Sequence, residues 1–143
     1  LKKTVDDYKD KLLRLTAEFD NFRKRTSKEK ETLFSDGMAE CAAQFLPLVD
    51  NMARCIEAFN GESEDSPLKK GALLIAKQLD EILKALNIEE IPAVGEEFDP
   101  NFHNAVMHVE DETIDTETVT EEFQKGYTMS GRVLRYSMVK VAN

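Results

Sequence analysis

The chain has 143 residues, of which 41% are hydrophobic and 33% charged, enough for one ordinary globular domain or for one elongated element carrying a smaller domain. Its 28 acidic and 19 basic residues leave a net charge of −9, and such a surface repels the phosphate backbone, so nucleic acid is not expected as a partner. There is no run of about 18 apolar residues and no charged-then-apolar leader, so no membrane partner is expected either, and the chain reads as a soluble segment of a longer protein.

From the N-terminus, apolar residues recur at Leu1, Val5, Tyr8, Leu12, Leu15, Phe19 and Phe22. The alternating steps of four and three are those of a coiled-coil seam. Residues Arg23 to Thr32 (RKRTSKEKET) are almost wholly polar, after which Leu33, Phe34, Met38, Cys41, Phe45, Val49, Met52, Ile56 and Phe59 resume a broader apolar face. Eleven residues separate Phe22 from Leu33, which points to a local shift from a heptad to a hendecad repeat and a relaxed supercoil. Gly37 and Pro47 are the weak points. Because proline removes an internal hydrogen bond and crowds the preceding turn, a kink near residues 45–47 is expected rather than a complete stop. Cys41 and Cys55 fit no zinc or redox spacing and read as small core residues in a reducing compartment.

As one helix, residues 1–60 would run for roughly 90 Å at about 1.5 Å per residue. A compact domain of this size has a radius of gyration of only about 14 to 15 Å. The apolar stripe therefore needs a partner outside the chain's own core, and a parallel homodimer supplies one most simply. The alternative is a pair of shorter helices folded back on each other, with the polar stretch as a disguised loop. Asn60 to Pro67 (NGESEDSP) then ends the helical region, and Pro67 opens a second helix with Leu68, Ala72, Ile75, Leu79, Ile82 and Leu86 on one face. Two copies of this helix and of the segment around Phe45 to Phe59 would make a four-helix bundle. The residues expected to carry dimerisation are Leu12, Leu15, Phe19, Phe22, Phe45, Val49, Met52, Ile56, Leu79 and Ile82. Gly71 costs about 1 kcal/mol against alanine inside a helix, and close packing is the favoured reason for it.

After Asn87 the period changes. Ile88 to Gly95 suggest a short strand and turn, Glu96 to Asn101 (EEFDPN) a loop, and Thr118 to Phe123 and Arg132 to Val141 strands, with Lys125-Gly126 and Ser130-Gly131 as turns. The fold class is α+β, with residues 1–88 as the helical dimerisation region and 89–143 as a small β-domain. Residues 96–122 hold ten acids and no Lys or Arg, whereas 123–143 hold four bases and no acid, so the two segments are expected to pair with complementary charges. His103 and His108 stand five apart, a spacing that suits metal ligands on neither helix nor strand. With no phosphate loop, nucleophile elbow or Cys/His pair present, neither metal, cofactor nor catalysis is expected.

Two segments of this tail, Phe98-Asp99-Pro100-Asn101-Phe102-His103-Asn104-Ala105-Val106 and Gly126-Tyr127-Thr128-Met129-Ser130-Gly131-Arg132-Val133-Leu134-Arg135-Tyr136-Ser137-Met138-Val139-Lys140-Val141, closely resemble the signature of the GrpE family. Upstream, Glu18 to Arg25 (EFDNFRKR) and Phe45 to Asn51 (FLPLVDN) resemble its long-helix motifs. The resemblance covers nearly the whole chain and implies a parallel dimer with paired long helices, a central four-helix bundle and two small β-domains. It also implies a partner, the nucleotide-binding domain of a DnaK-type chaperone, whose cleft such factors open so that ADP leaves. Carried over position by position, the contact would use Arg132, with Phe98, Phe123 and Val141 as apolar neighbours and Arg23 as an accessory contact on the long helix. His103 matches the signature but is expected to order the loop at Asp99 to Asn101. The resemblance further implies heat sensing through the long helices; a bacterial cytoplasm fits best as the compartment, and a mitochondrial matrix relative would look similar once its transit peptide had been removed.

Overall fold

A computed structural model of the protein describes residues 1–114 and 116–143. It divides into two units, Leu1–Met38 and Ala39–Asn143. Helix α1 (Lys2–Gln44) runs unbroken through the polar stretch at 23–32, so the fold-back alternative does not hold. No proline or glycine interrupts it before Gly37, and the ion pairs Lys24–Asp20 (3.2 Å) and Arg25–Glu29 (3.8 Å) follow its turns at a spacing of four. Pairs of this kind contribute about 0.2 to 0.5 kcal/mol each, too little to hold so long a helix. Tertiary packing does not supply the rest, because Ala39 is the one buried residue among those described in α1.

The helix pauses for a single residue at Phe45, which keeps right-handed helical angles (φ −87, ψ −10), and α2 (Leu46–Ala58) resumes at once with Pro47 in its first turn. The expected kink is thus a one-residue break: the Phe45 N–H bonds Ala42 O at 3.1 Å, a tightened turn that leaves Pro47, which has no N–H, where an unpaired donor would otherwise fall. The acidic turn after α2 leads into α3 (Pro67–Ala85), where the Ser66 hydroxyl caps the helix by accepting from the Lys69 N–H at 3.4 Å.

Six strands follow among the described residues: β1 (Ile88–Glu90), β2 (His103–Val109), β3 (Thr118–Gln124), β4 (Tyr127–Met129), β5 (Arg132–Arg135) and β6 (Ser137–Ala142). They form two three-stranded sheets, ordered β1-β4-β5 and β2-β6-β3. The expected strand at 132–141 is divided at Tyr136, where the chain leaves one sheet for the other. As the charge pattern predicted, β3 and β6 are antiparallel neighbours, with Glu121 opposite Lys140 and 3.7 Å from its ammonium. Strand β2, parallel to β6, was not expected as a strand; it is buried only at its His103 end and nearly all exposed beyond it, which leaves no alternation in the sequence.

Each sheet has its own core. Leu46 and Val49 of α2 bury against Ile88 and Tyr127, with Leu79, Leu83 and Leu86 of the α3 region around them. Ala93, Val119, Val139 and Val141 form the second core, closed on one side by Phe98. One expectation is corrected. Cys41 and Cys55 are both exposed rather than core residues, since they lie off the helix faces that carry Ala39, Leu46 and Val49 inward. Gly71 has open space where a Cβ would stand, so no close packing within the chain accounts for it.

Candidate functional site

The hairpin between β4 and β5 turns on Ser130 (φ +50) and Gly131 (φ +83), two left-handed residues in succession, which is the two-residue turn whose twist matches that of its strands. Arg132, the next residue, pairs in register with Met129 and is exposed beside the turn. Its position is therefore set by backbone chemistry: glycine tolerates the left-handed angle without cost, and the short loop leaves no slack.

The loop before β2 is ordered from within. The Asp99 backbone N–H donates to His103 Nδ1 at 3.0 Å, so the ring proton sits on Nε2, which donates to Pro92 O at 2.8 Å. Asp99 in turn accepts from the Asn101 N–H at 2.9 Å through its carboxylate and from the His103 N–H at 2.8 Å through its carbonyl. His103, 5% exposed, has the ordering role expected of it, and neither ring nitrogen is left for a ligand. Phe98 lies 6.0 Å from the imidazole between ring centres and is half-buried against the second core.

The contact residues named from the sequence are distributed unevenly. Phe98 and Val141 share the second core, and Val141 at 2% exposure presents no surface of its own. Phe123 on β3 is exposed, whereas Arg132 stands on the other sheet. Arg23 is exposed on α1. Of the residues named for dimerisation, Leu12, Leu15, Phe19, Phe22, Phe45 and Ile82 are exposed, at 49% to 64%. Met52, Ile56 and Leu79 are part-buried, and Val49 is buried within its own chain.

One constellation was not foreseen. Arg135, the last residue of β5, holds Asp50 of α2 through two parallel bonds, Nη1 to Oδ2 at 2.7 Å and Nη2 to Oδ1 at 2.8 Å. Its Nε also donates to Lys125 O at 2.9 Å, and its guanidinium lies 5.6 Å from the centre of the Tyr127 ring. Beside it, the Gly126 N–H donates to Ser137 Oγ at 3.1 Å, and a Cβ on Gly126 would stand 2.4 Å from the Ser137 nitrogen. Burial pushes the Tyr127 hydroxyl up to about 12, with the Glu90 and Asp50 charges adding to the shift and Arg135 opposing it. Burial likewise raises the Glu122 carboxyl, against a hydrogen bond from Ser137. Asp50 and Arg135 both stand in recognisable motifs, but a pairing across 85 positions leaves no trace in a single sequence.

No helix among the described residues is long and apolar enough to cross a membrane. The GrpE family profile matches residues 1–143. Protein GrpE of Clostridium beijerinckii is 50% identical over 135 residues, which is 94% of this chain and 63% of that protein. The Clostridium acetobutylicum Protein GrpE is 49% identical over 139 residues, covering 97% of this chain and 68% of its own length. That of Clostridium tetani is 46% identical over 143 residues, covering all of this chain and 70% of its own length. The chain thus spans somewhat less than two thirds of the first of these relatives and somewhat more of the others. With a match that runs from its first residue to its last, the chain belongs to the GrpE family.

Proposed function

We propose that this chain is a nucleotide-exchange co-chaperone, which acts as a parallel homodimer on the nucleotide-binding domain of a DnaK-type chaperone in a bacterial cytoplasm. The observation that carries this reading is the family match over the whole chain. The exposed seam of α1 supports the dimer, because a helix with so little of its apolar surface covered by its own chain gains stability by pairing with an equivalent helix. Residues 1–88 would serve dimerisation and 89–143 the chaperone. Arg132 beside its tight turn, with Phe123 exposed, Phe98 half-buried and Val141 supporting Phe98 from the core, would form the principal contact, and Arg23 an accessory one.

The act is one of linkage. A factor that binds the open nucleotide cleft more tightly than the closed one weakens ADP binding, and ADP weakens the factor's binding by the same ratio. No bond is made or broken by the factor. The test is stopped-flow release of a fluorescent ADP analogue from a cognate DnaK-type chaperone, with and without the protein, together with its mass by light scattering. Strong acceleration by a dimer supports the proposal. A dimer that leaves the release rate unchanged would instead point to a coiled-coil scaffold that holds clients.

A further inference from the structure

Beside the apolar core shared by α2 and the first sheet, one polar joint links that helix to the crossings between the sheets. After a first crossing between β1 and β2, the chain passes from the β2-β6-β3 sheet back to the β1-β4-β5 sheet at Lys125-Gly126 and returns at Tyr136, and Arg135 touches these last two crossings as well as α2. One guanidinium thus holds Asp50 on the helix and the Lys125 carbonyl at the earlier of these two crossings, while standing itself at the later. The Gly126–Ser137 contact locks the crossings to each other. The apolar contacts between α2 and the first sheet, Leu46 and Val49 with Ile88 and Tyr127, resist separation but have little directional preference. A forked pair of charge-assisted bonds is directional and resists rotation. Its side chains are 19% and 23% exposed, so water screens it less than the ion pairs of α1.

We propose that Asp50 and Arg135 are positioning residues that fix the orientation of both sheets on α2, and thereby set how strongly chaperone binding is coupled to ADP release. This rests on the proposed exchange function. Coupling equals the ratio of affinities for the open and closed cleft. A contact surface held rigidly on its helix distinguishes the two cleft shapes; one that swivels fits both and loses the ratio without losing binding. The pair therefore acts on the difference between two affinities, a quantity that a general loss of structure does not alter selectively.

The experiment uses the full chain with Asp50→Asn, Arg135→Lys and the double variant. Affinity is measured for the nucleotide-free and the ADP-bound chaperone, and ADP release is measured at saturating factor. Each single variant is expected to keep the helical circular-dichroism signal and the parent mass, and to lower both the affinity ratio and the saturating release rate by about tenfold. The double variant is expected to lose no more than either single one, because both remove the same bond. Unchanged ratios in the single variants, or losses that multiply in the double, overturn the clamp. Should Asp50→Asn misfold, Arg135→Lys alone decides, since it keeps the charge and one bond while losing the fork. If the unaltered chain fails to accelerate release, the exchange function falls and the clamp with it; if the unaltered chain accelerates and the variants match it, the clamp alone falls.

Discussion

Side chains in the β-region are held by contacts with little tolerance, and their replacement has readable costs. Gly126 is the clearest: a methyl group there would meet Ser137 N at 2.4 Å, Ser137 Oγ at 2.6 Å and Arg135 O at 2.8 Å, and two of these atoms are backbone. Gly126→Ala is expected to destabilise the β-region by about 3 kcal/mol, measured by denaturant unfolding followed through a β-region probe. Arg132 makes the opposite case. It is exposed beside a turn set by the left-handed backbone of Ser130 and Gly131, and Arg132→Ala is expected to weaken chaperone binding by roughly tenfold or more while leaving the dimer mass in place. Binding by titration calorimetry at the parent value would remove Arg132 from the contact. Tyr127 brings a pH dependence. Its folded pKa of about 12 lies above the ordinary 10.0, so its contribution to stability is complete below pH 10 and is lost as the pH climbs towards 12. Tyr127→Phe, which cannot ionise, is expected to flatten this alkaline loss in pH-dependent melting, and an equally steep loss in the variant would assign it to other groups.

Among the elements, α1 differs from the rest in what supports it. Helix α2 buries Leu46 and Val49 against the sheet β1-β4-β5 and α3 leans part-buried Leu79 and Leu83 on the same core, whereas the first six turns of α1 expose every seam residue from Leu1 to Phe22. Polar residues 23–32 add no apolar surface to a partner helix, so the heat-sensing proposal belongs here. On heating, far-ultraviolet circular dichroism is expected to show a reversible loss of helix at lower temperature, before the β-region melts; a single sharp transition at all probes would speak against it. The sequence announced this helix plainly because its signals are local: a seam of period 3.5, no early breaker, and Pro47 as the one sharp interruption. Strands β3 and β6 were legible for a related reason, since β-branched runs with opposite charge mark neighbours. Strand β2 was hidden because its burial falls almost wholly on His103 at one end, which leaves no alternation to read. The hairpin turn was legible through the Ser130-Gly131 pair, and Arg132 was singled out by the family resemblance alone, but the Asp50–Arg135 joint was not legible, since it exists only once α2 and β5 have been brought together.

For the molecule as a whole, the unburied apolar surface predicts its assembly. Leu12, Leu15, Phe19 and Phe22 on α1 and Ile82 on α3 each expose about half of their surface or more, so a lone chain in water gains little burial to offset the entropy of ordering them. Dilution is expected to lower mass and helicity together, so sedimentation and circular dichroism should titrate with the same midpoint, and helicity independent of concentration down to the monomer would rule out pairing as its source. The order of the second sheet carries a consequence for synthesis. Strand β6 is the last of the six to be made and the middle one of its three, parallel to β2 on one side and antiparallel to β3 on the other. A nascent chain that has emerged only as far as Tyr136 already has every helix and the whole β1-β4-β5 sheet, yet β2 has no strand to pair with and β3 has only the short bridge of Glu97 to Thr118. Folding on the ribosome therefore has a late step, in which residues 137–142 close the second sheet by threading between two waiting edges, and a protease added to stalled chains should cut the segment 103–124 until that strand has cleared the exit.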